Sequence, residues 1–226
     1  MKLAIIPARG GSKRIPGKNI RSFCGRPIIE YSIEAAQKAN LFDRIIVSTD
    51  DEAIMATART AGAEVPFVRP PEFSGDFIGT AEVLLHALTE LPEREKIRHF
   101  CCIYATAPFM RSEDIRRGAD MIAETGAGAV FPVTTFPSPI FRSLKIGDDG
   151  RLSMFWPEHM KTRSNDLPQA YHDAGQFYWL DRAVFERDRV IYASDARPMV
   201  IPRHLVNDID TDEDWQRAEL MFRALQ

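Results

Sequence analysis

The sequence has few cysteines, no long apolar run and only a small net charge. Its three cysteines, Cys24, Cys101 and Cys102, are odd in number and lack the spacing of a metal site, which argues against a disulfide framework. No apolar run approaches the roughly 20 residues that a membrane-spanning helix needs. The formal net charge of −3 gives no global attraction to nucleic acid or to an anionic membrane. The N-terminal residues do not resemble a secretory signal, so we expect a cytoplasmic protein.

The order of apolar segments predicts one α/β domain over residues 1–226, with a doubly wound, mostly parallel sheet. Short apolar runs typical of strands alternate with amphipathic segments typical of helices. The predicted strands are Leu3–Ile6, Arg44–Ser48, Val65–Val68, Phe100–Tyr104, Ala129–Val133 and Gln176–Leu180. Asp50 or Asp51 is expected to cap the helix after the second strand, and we favour the cap as the role of Asp50. The last helix should begin at Thr211 and bury Trp215, Ala218, Phe222 and Leu225.

A basic, glycine-rich loop follows the first predicted strand. Gly10, Gly11 and Gly17 allow the backbone to bend and to approach a ligand closely. The same loop carries four cationic side chains, those of Arg9, Lys13, Arg14 and Lys18. Backbone amides and cationic side chains in one loop suit a polyanion, most obviously a triphosphate. The residues alone leave open a second interpretation, a flexible basic turn at the surface.

The loop matches neither of the two best-known phosphate-binding motifs. Gly17-Lys18 fits the end of the Walker A pattern, but Ser12 stands in place of its first glycine and Asn19 in place of its hydroxyl residue. The dinucleotide-binding spacing Gly-x-Gly-x-x-Gly is missing as well. If the loop binds phosphates, it therefore belongs to another type of site.

Two acidic residues lie close together near the end of the chain. In Asn207–Thr211, alternation along an extended backbone sends the carboxylates of Asp208 and Asp210 to one side and Ile209 to the other. Adjacent carboxylates repel each other unless a cation lies between them, and magnesium favours carboxylates together with substrate phosphates. An acidic turn that caps the last helix is the alternative. Combined with a phosphate-binding loop, the pair predicts a magnesium site.

The segment Ile6–Asn19, which reads Ile-Pro-Ala-Arg-Gly-Gly-Ser-Lys-Arg-Ile-Pro-Gly-Lys-Asn, resembles the N-terminal signature of sugar nucleotidyltransferases. More narrowly, it resembles the CMP-nonulosonic acid synthetase family, whose Asp-Ile-Asp-Thr also matches residues 208–211. The resemblance covers nearly the whole chain. It implies a Rossmann-like nucleotidyltransferase fold and a magnesium-dependent enzyme. In this family the anomeric hydroxyl of an acidic nine-carbon sugar attacks the α-phosphate of CTP, which gives a CMP-sugar and pyrophosphate.

The resemblance also implies which residues form the nucleotide site. Arg9, Lys13 and Lys18 take the phosphate-contacting positions and, together with Asp210, are the expected catalytic residues. Asn19 is expected to help hold the cytidine. The full set of expected nucleotide-binding residues is Ala8, Arg9, Gly10, Gly11, Lys13, Lys18, Asn19, Arg69, Asp76 and Thr80. The expected metal ligands are Asp208 and Asp210.

On the sugar side the sequence departs from sialic acid enzymes and resembles the pseudaminic acid branch of the family. Sialic acid synthetases usually show Gln-Pro-Thr-Ser-Pro where this chain has Tyr104–Pro108, and Arg-Pro-Asn-Gly within the stretch that corresponds to Tyr171–Tyr178. Phe155–Glu158 and Thr162–Leu167 also resemble the pseudaminic acid branch. The expected sugar-binding residues are Tyr104, Thr106, Arg163, His172, Asp173 and Gln176.

Residues 134–172 interrupt the doubly wound pattern. Gly147–Gly150, between Arg142–Ile146 and Arg151–Phe155, predicts a hairpin, and residues 156–172 are polar and irregular. This segment carries apolar side chains that a monomer would expose, those of Phe136, Phe141, Phe155, Trp156 and Met160. In the family the corresponding excursion packs against a partner subunit. We therefore expect a homodimer in which this arm reaches the active site of its neighbour.

Two other hypotheses remain open at this point. A CMP-N-acetylneuraminate or CMP-legionaminate synthetase is the nearest alternative. A nucleotide-binding protein that has lost catalysis is an alternative of another class, against which the intact basic loop and acidic pair argue. The small net charge and the lack of a basic stripe disfavour a nucleic-acid-binding module. The expected partners are CTP, a nonulosonic acid and a second copy of the chain, without nucleic acid or membrane.

Overall fold

The computed structural model describes residues 1–225, which form a seven-stranded sheet with helices on both faces and two small hairpins. The strands are β1 (Leu3–Pro7), β2 (Ser22–Phe23), β3 (Arg26–Pro27), β4 (Arg44–Ser48), β5 (His99–Ile103), β6 (Ala129–Thr135), β7 (Leu144–Ile146), β8 (Leu152–Met154), β9 (Tyr171–Asp173), β10 (Phe177–Asp181) and β11 (Arg197–Val200). The helices are α1 (Ile28–Ala39), α2 (Glu52–Thr60), α3 (Thr80–Thr89), α4 (Ser112–Thr125), α5 (Arg182–Asp188) and α6 (Asp212–Ala224).

The central sheet has the strand order β11-β6-β10-β5-β1-β4, and β9 adds to β6. Neighbours β4, β1 and β5 are parallel, as are β6 and β11, so the predicted mostly parallel α/β fold is confirmed. Strand β10 runs antiparallel between β5 and β6, and β9 runs antiparallel to β6. The segment that joins β9 to β10 therefore lies at the edge where the parallel strands end. Ligands of open α/β sheets bind at this edge.

Alternate residues of the central strands are buried on opposite faces of the sheet. In β1, Ala4 and Ile6 pack with α1, α2 and α4, whereas Leu3 and Ile5 pack with α3 and α5. The two cysteines of β5 follow the same alternation, and burial raises the pKa of both thiols. They are packed thiols, as expected. None of the helices within residues 1–225 is long and apolar enough to cross a bilayer.

A third, smaller core fixes the two ends of the chain against each other. Ile15 of the basic loop and Ile209 of the acidic segment are both buried in it, beside Phe23 and Trp215. Helix α6 covers this core and begins with a capping box in which Thr211 and the third helical residue bind each other's backbone amides. The small core thus brings together two segments almost 200 residues apart in sequence.

Three predictions about individual elements were wrong. Residues 65–68 form no strand, and only Glu64 bridges to Ile46; Pro66 has no N–H for a ladder, and Val68 is largely exposed. Helix α6 ends before Leu225, whose side chain is 51% exposed. Of the two candidate caps of α2, Asp51 forms the cap and accepts a hydrogen bond from the N–H of residue 54, so the cap role favoured for Asp50 was wrong.

Candidate active site

The basic loop leaves β1 at the edge where the parallel strands end. The Ala8 N–H donates to the Ser48 carbonyl at 2.9 Å, so the pairing of β1 with β4 continues into the loop. Gly17 has φ of 62°, a left-handed conformation that favours glycine, and a 3-10 turn over Lys18–Ile20 follows. With Ile15 buried in the small core, the loop is held at its start and its end.

A cavity of about 320 Å³, here called the basic cavity, lies against this loop. Its lining contains all four cationic side chains of the loop, which therefore face one space. The lining residues are Pro7, Arg9, Ser12, Lys13, Arg14, Lys18, Asn19, Asp76, Thr106 and Asp210. A concave site with clustered cations suits a ligand with several negative charges.

Asp76 forms ion pairs with two of these cations. Its carboxylate pairs with Lys13 and accepts a hydrogen bond from Arg9 Nη1 at 3.1 Å. The Lys13 ammonium, together with the Arg9 guanidinium, holds the pKa of Asp76 below its ordinary value. Arg9 Nη1 also donates to the Gly75 carbonyl at 3.2 Å. An entering polyanion would compete with Asp76 for the same two cations.

The acidic pair has the arrangement that alternation predicts. Ile209 is buried, whereas Asp208 and Asp210 are on the open side of the segment. Asp210 accepts a hydrogen bond from Arg14 Nη1 at 2.8 Å, and its other carboxylate oxygen lies 3.5 Å from Lys18 Nζ. Asp210 thereby supplies a carboxylate to the basic cavity, whereas Asp208 lines only the second cavity described next.

A second cavity of about 550 Å³, here called the tyrosine cavity, lies beside the first. It is lined by Lys18, Tyr104, Thr106, His172, Asp173, Ala174, Gly175, Tyr178, Tyr192, Val206, Asn207, Asp208, Asp210 and Arg217. These residues come from the basic loop, the ends of β5 and β9, the β9–β10 connection, β10, the loop before β11, the acidic segment and α6. The mixture of hydroxyl, amide and charged groups suits a polar, hydroxyl-rich ligand.

Three donors hold the carboxylate of Asp173 in the tyrosine cavity. Asp173 Oδ2 accepts hydrogen bonds of 2.5 Å from the hydroxyls of both Tyr178 and Tyr192. Asp173 Oδ1 accepts one of 2.8 Å from the Gly175 N–H. Burial is the main cause that raises the pKa of both tyrosines, so they remain protonated donors at neutral pH. The carboxylate is therefore fixed in orientation before any ligand enters.

The two cavities meet at three residues. Lys18, Thr106 and Asp210 line both the basic cavity and the tyrosine cavity. A polyanion in the first and a polar ligand in the second would therefore be in contact beside one ammonium, one hydroxyl and one carboxylate. Such an arrangement suits the transfer of a group between two bound substrates.

Two of the predicted sugar-binding residues lie outside both cavities. Gln176 is only 4% exposed, and its Nε2 donates to the Leu205 carbonyl at 2.6 Å, a contact that serves the core. Arg163 projects from residues 134–172 and lies 3.7 Å from Asp166 in an exposed ion pair. The other four predicted sugar-binding residues, Tyr104, Thr106, His172 and Asp173, line the tyrosine cavity.

Five of the predicted nucleotide-binding residues are also absent from the lining of the basic cavity: Ala8, Gly10, Gly11, Arg69 and Thr80. Ala8 and Arg69 are buried, and Thr80 Oγ1 lies 3.5 Å from the hydroxyl of Tyr104, at the border of the tyrosine cavity. The side chains of Arg9, Lys13, Lys18, Asn19 and Asp76 do line the basic cavity.

The prediction from the sequence missed four residues that line the two cavities, Arg14, Tyr178, Tyr192 and Arg217. Arg14 was recognisable as a cation of the loop. Tyr178 occupies a buried position of a predicted strand, where a core role is the ordinary expectation. Tyr192 and Arg217 come from a distant loop and from α6, and no motif marks either of them.

A family model described as cytidylyltransferase matches residues 3–218 of this chain. The chain therefore belongs to the cytidylyltransferase family and is a nucleotidyltransferase. Among curated relatives, the pseudaminic acid cytidylyltransferase of Campylobacter jejuni is 39% identical, over 98% of this chain and 96% of that protein. The CMP-N,N'-diacetyllegionaminic acid synthase of Legionella pneumophila is 29% identical, over 99% of this chain and 97% of that protein.

Solved structures share the fold at low sequence identity. A CMP:2-keto-3-deoxy-manno-octonic acid synthetase complexed with CTP superposes with a TM-score of 0.73 at 15% identity and covers 100% of this chain and 99% of that one. A 4-diphosphocytidyl-2C-methyl-D-erythritol synthase from Anaerococcus prevotii gives a TM-score of 0.67 at 16% identity, with 98% of each chain covered. Both confirm the nucleotidyltransferase fold.

Cytidylyltransferases of this type generally use a divalent metal ion. Within residues 1–225 no group of three or more His, Cys, Asp or Glu side chains is placed to hold one. Asp208 and Asp210 supply two carboxylates beside the basic cavity. Such a donor set fits a hard cation that completes its shell with substrate phosphates and water.

Proposed function

We propose that this chain is a pseudaminic acid cytidylyltransferase, which couples CTP to pseudaminic acid and releases pyrophosphate. The observation that carries the proposal is the junction of a basic and a polar cavity at Lys18, Thr106 and Asp210. The triphosphate would occupy the basic cavity and the sugar acid the tyrosine cavity. The 39% identity to the Campylobacter jejuni enzyme over nearly both full lengths supports this choice of sugar.

The side chains of the site suggest how the reaction proceeds. Arg9 and Lys13 hold the outer phosphates, and Lys18 lies where the α-phosphate and the anomeric hydroxyl meet. As the hydroxyl oxygen bonds to the α-phosphorus, its proton passes to water and the bond from that phosphorus to pyrophosphate breaks, while the cations stabilise the charge that develops on the leaving group. Magnesium held by Asp208 and Asp210 would add Lewis-acid stabilisation of the same charge.

The sugar acid is positioned by groups that differ from those of sialic acid enzymes. The carboxylate of Asp173, fixed by two tyrosines, offers an acceptor for a hydroxyl or acetamido N–H of the sugar. Tyr104 and His172 add polar atoms to the lining of the same cavity. We propose that these three residues select the sugar.

A panel of substrates tests the proposed function. The purified protein is incubated with magnesium, each of the four nucleoside triphosphates, and pseudaminic, legionaminic or N-acetylneuraminic acid, and pyrophosphate release is measured. We expect turnover with CTP and pseudaminic acid to exceed the turnover with every other pair of substrates by at least about tenfold. A site with buried polar groups discriminates strongly against substrates that leave those groups unpaired. Equal or better turnover with another sugar acid would transfer the assignment to that sugar. No turnover with any pair would leave a nucleotide-binding protein without catalysis.

We also propose that residues 134–172 form a dimerisation arm, as the sequence pattern predicts. The β7–β8 hairpin exposes Leu144, Ile146 and Leu152, and Phe155 and Met160 nearby are more than half exposed. A second copy of the chain would cover this apolar surface, and Arg163 on the same segment could then reach the partner's tyrosine cavity.

Sedimentation velocity tests the dimer. Wild-type protein at micromolar concentration is expected to sediment as a dimer. The Leu152→Lys variant is expected to sediment largely as a monomer, because dimerisation would bury the lysine charge at the interface. Leu220→Lys is the matched control, because Leu220 is 66% exposed, like Leu152, but lies on α6. A wild-type monomer, or equal effects of the two substitutions, would contradict the proposed arm.

A further inference from the structure

One peptide group of the basic loop is bound at both of its ends. The Arg9 carbonyl accepts a hydrogen bond from Asn19 Nδ2 at 2.9 Å, and the N–H of the same peptide, which belongs to Gly10, donates to Asp50 Oδ1 at 3.0 Å. With both ends engaged, the plane of this peptide cannot rotate without the loss of two hydrogen bonds. The direction in which the Arg9 side chain leaves the backbone is fixed with it.

Asp50 is well placed to hold the loop because its own backbone is anchored. It follows β4, whose neighbour in the sheet is β1, and the preceding Thr49 carbonyl accepts a hydrogen bond from the Arg69 N–H at 2.8 Å. Since Asp51 caps α2, the carboxylate of Asp50 is available for Gly10. A Cβ at Gly10 would lie 2.7 Å from Asp51 Oδ2, so the backbone approaches as closely as only glycine permits.

A buried arginine lies behind Asp50. Arg69 is 3% exposed, and its Nη2 lies 3.6 Å from the same Asp50 oxygen that binds Gly10. Among the residues that the structure describes, Arg69 Nε and Nη2 have no hydrogen-bond partner. Burial lowers the pKa of Arg69, and the charge of Asp50 opposes that shift. A buried cation with so few partners depends on the nearby carboxylate, so the two side chains act as a unit.

We infer that Asp50, backed by Arg69, is a positioning residue for the nucleotide. It holds the Arg9–Gly10 peptide in the one orientation that points the Arg9 guanidinium into the basic cavity. Without it, the peptide could rotate, and the guanidinium would leave the place where it now meets Asp76. The inference rests on the proposed binding of the CTP triphosphate by this loop. It gives Asp50 a role in binding that the prediction of a helix cap did not include.

Steady-state kinetics of Asp50→Ala test the inference. We expect the KM for CTP to rise on the order of tenfold, because a small misplacement of a binding group is costly, while the KM for the sugar acid stays within about twofold. Asp50→Asn keeps an oxygen that can accept the hydrogen bond from the Gly10 N–H. Its KM for CTP should therefore rise by no more than about threefold, half of the Asp50→Ala effect on a logarithmic scale. Asp181→Ala is the matched control, since Asp181 lies at the end of a strand, β10, and also accepts a hydrogen bond from a backbone N–H, at the cap of α5.

The NMR chemical shift of the Gly10 amide proton supplies a second readout, which a loss of stability alone would not change. In Asp50→Ala its proton signal is expected to move upfield, as a hydrogen bond to a carboxylate is lost, whereas Asp181→Ala leaves it in place. If Asp50→Ala does not fold, Asp50→Asn is used alone, and a KM for CTP about threefold above wild type is expected. An unchanged KM for CTP together with an unchanged Gly10 signal overturns the inference. Failure of the wild-type protein to use CTP would instead overturn the proposed function.

Discussion

The Asp210→Asn variant is expected to lose about 10²–10³-fold of turnover while it still binds CTP. Asp210 lines both cavities and faces Arg14 and Lys18. An amide at this position would keep the shape but lose the negative charge that a divalent cation requires. Arg9 and Lys13 would remain to hold the triphosphate. Turnover with CTP and pseudaminic acid, and CTP affinity by calorimetry, measure the two effects separately.

Asp212→Asn provides the matched control for this experiment. Asp212 lies two residues further on, pairs with Arg21 at 2.5 Å and lines neither of the two cavities. Its loss should leave kcat within about twofold, as exposed ion pairs contribute little. A wild-type rate in Asp210→Asn would show that the metal site lies elsewhere.

The second large effect is expected for Lys18→Gln. Lys18 is the only cation that lines both cavities among the described residues, and its side chain is 17% exposed. Because it lies at the junction of the two cavities, where the proposed reaction would form the new bond, its loss should lower kcat by about 10²-fold, with a smaller change in the KM for CTP. Rates at saturating CTP and sugar acid, measured for wild type and variant, test the prediction.

Lys38→Gln is the corresponding control. Lys38 also forms an ion pair, with Glu34, but on the exposed surface of α1. It should leave kcat unchanged. If Lys18→Gln raised only the KM for CTP, the lysine would bind phosphate without a contribution to the transition state.

The parts of the fold that the sequence predicted well are those governed by local pattern. Strand β4 has the predicted ends, and the capping box at Thr211 forms as its residue types require. The predicted strand at residues 65–68 does not form because Pro66 has no N–H for a ladder hydrogen bond; Val65 packs against the core outside any strand, and Val68 is largely exposed. The antiparallel course of β10 depends on which neighbours it pairs with, and no local signal encodes that.

The same division applies to the candidate site. Two parts of the site are contiguous in the sequence, the loop of residues 8–18 and the pair Asp208 and Asp210. Both can therefore be recognised before the fold is known. The burial of Ile15 and Ile209 in one small core explains why they meet. Tyr192 reaches the tyrosine cavity only through tertiary structure. Gln176 is the opposite case: its place in a motif predicted sugar binding, but in the structure its side chain donates a hydrogen bond to the Leu205 carbonyl.

The division of the candidate site into two cavities bears on how enzymes with this fold could come to activate other sugars. The basic cavity is lined mainly by residues 7–19, whereas the tyrosine cavity is lined mainly by residues 104, 106, 172–175, 178, 192, 206–208, 210 and 217. The two sets share Lys18, Thr106 and Asp210, so under the proposed function most residues of the tyrosine cavity could change between relatives while the basic cavity stays the same. If the tyrosine cavity holds the sugar acid, chimeras that carry these stretches from a legionaminic acid enzyme are expected to keep the use of CTP and to change the sugar that is activated.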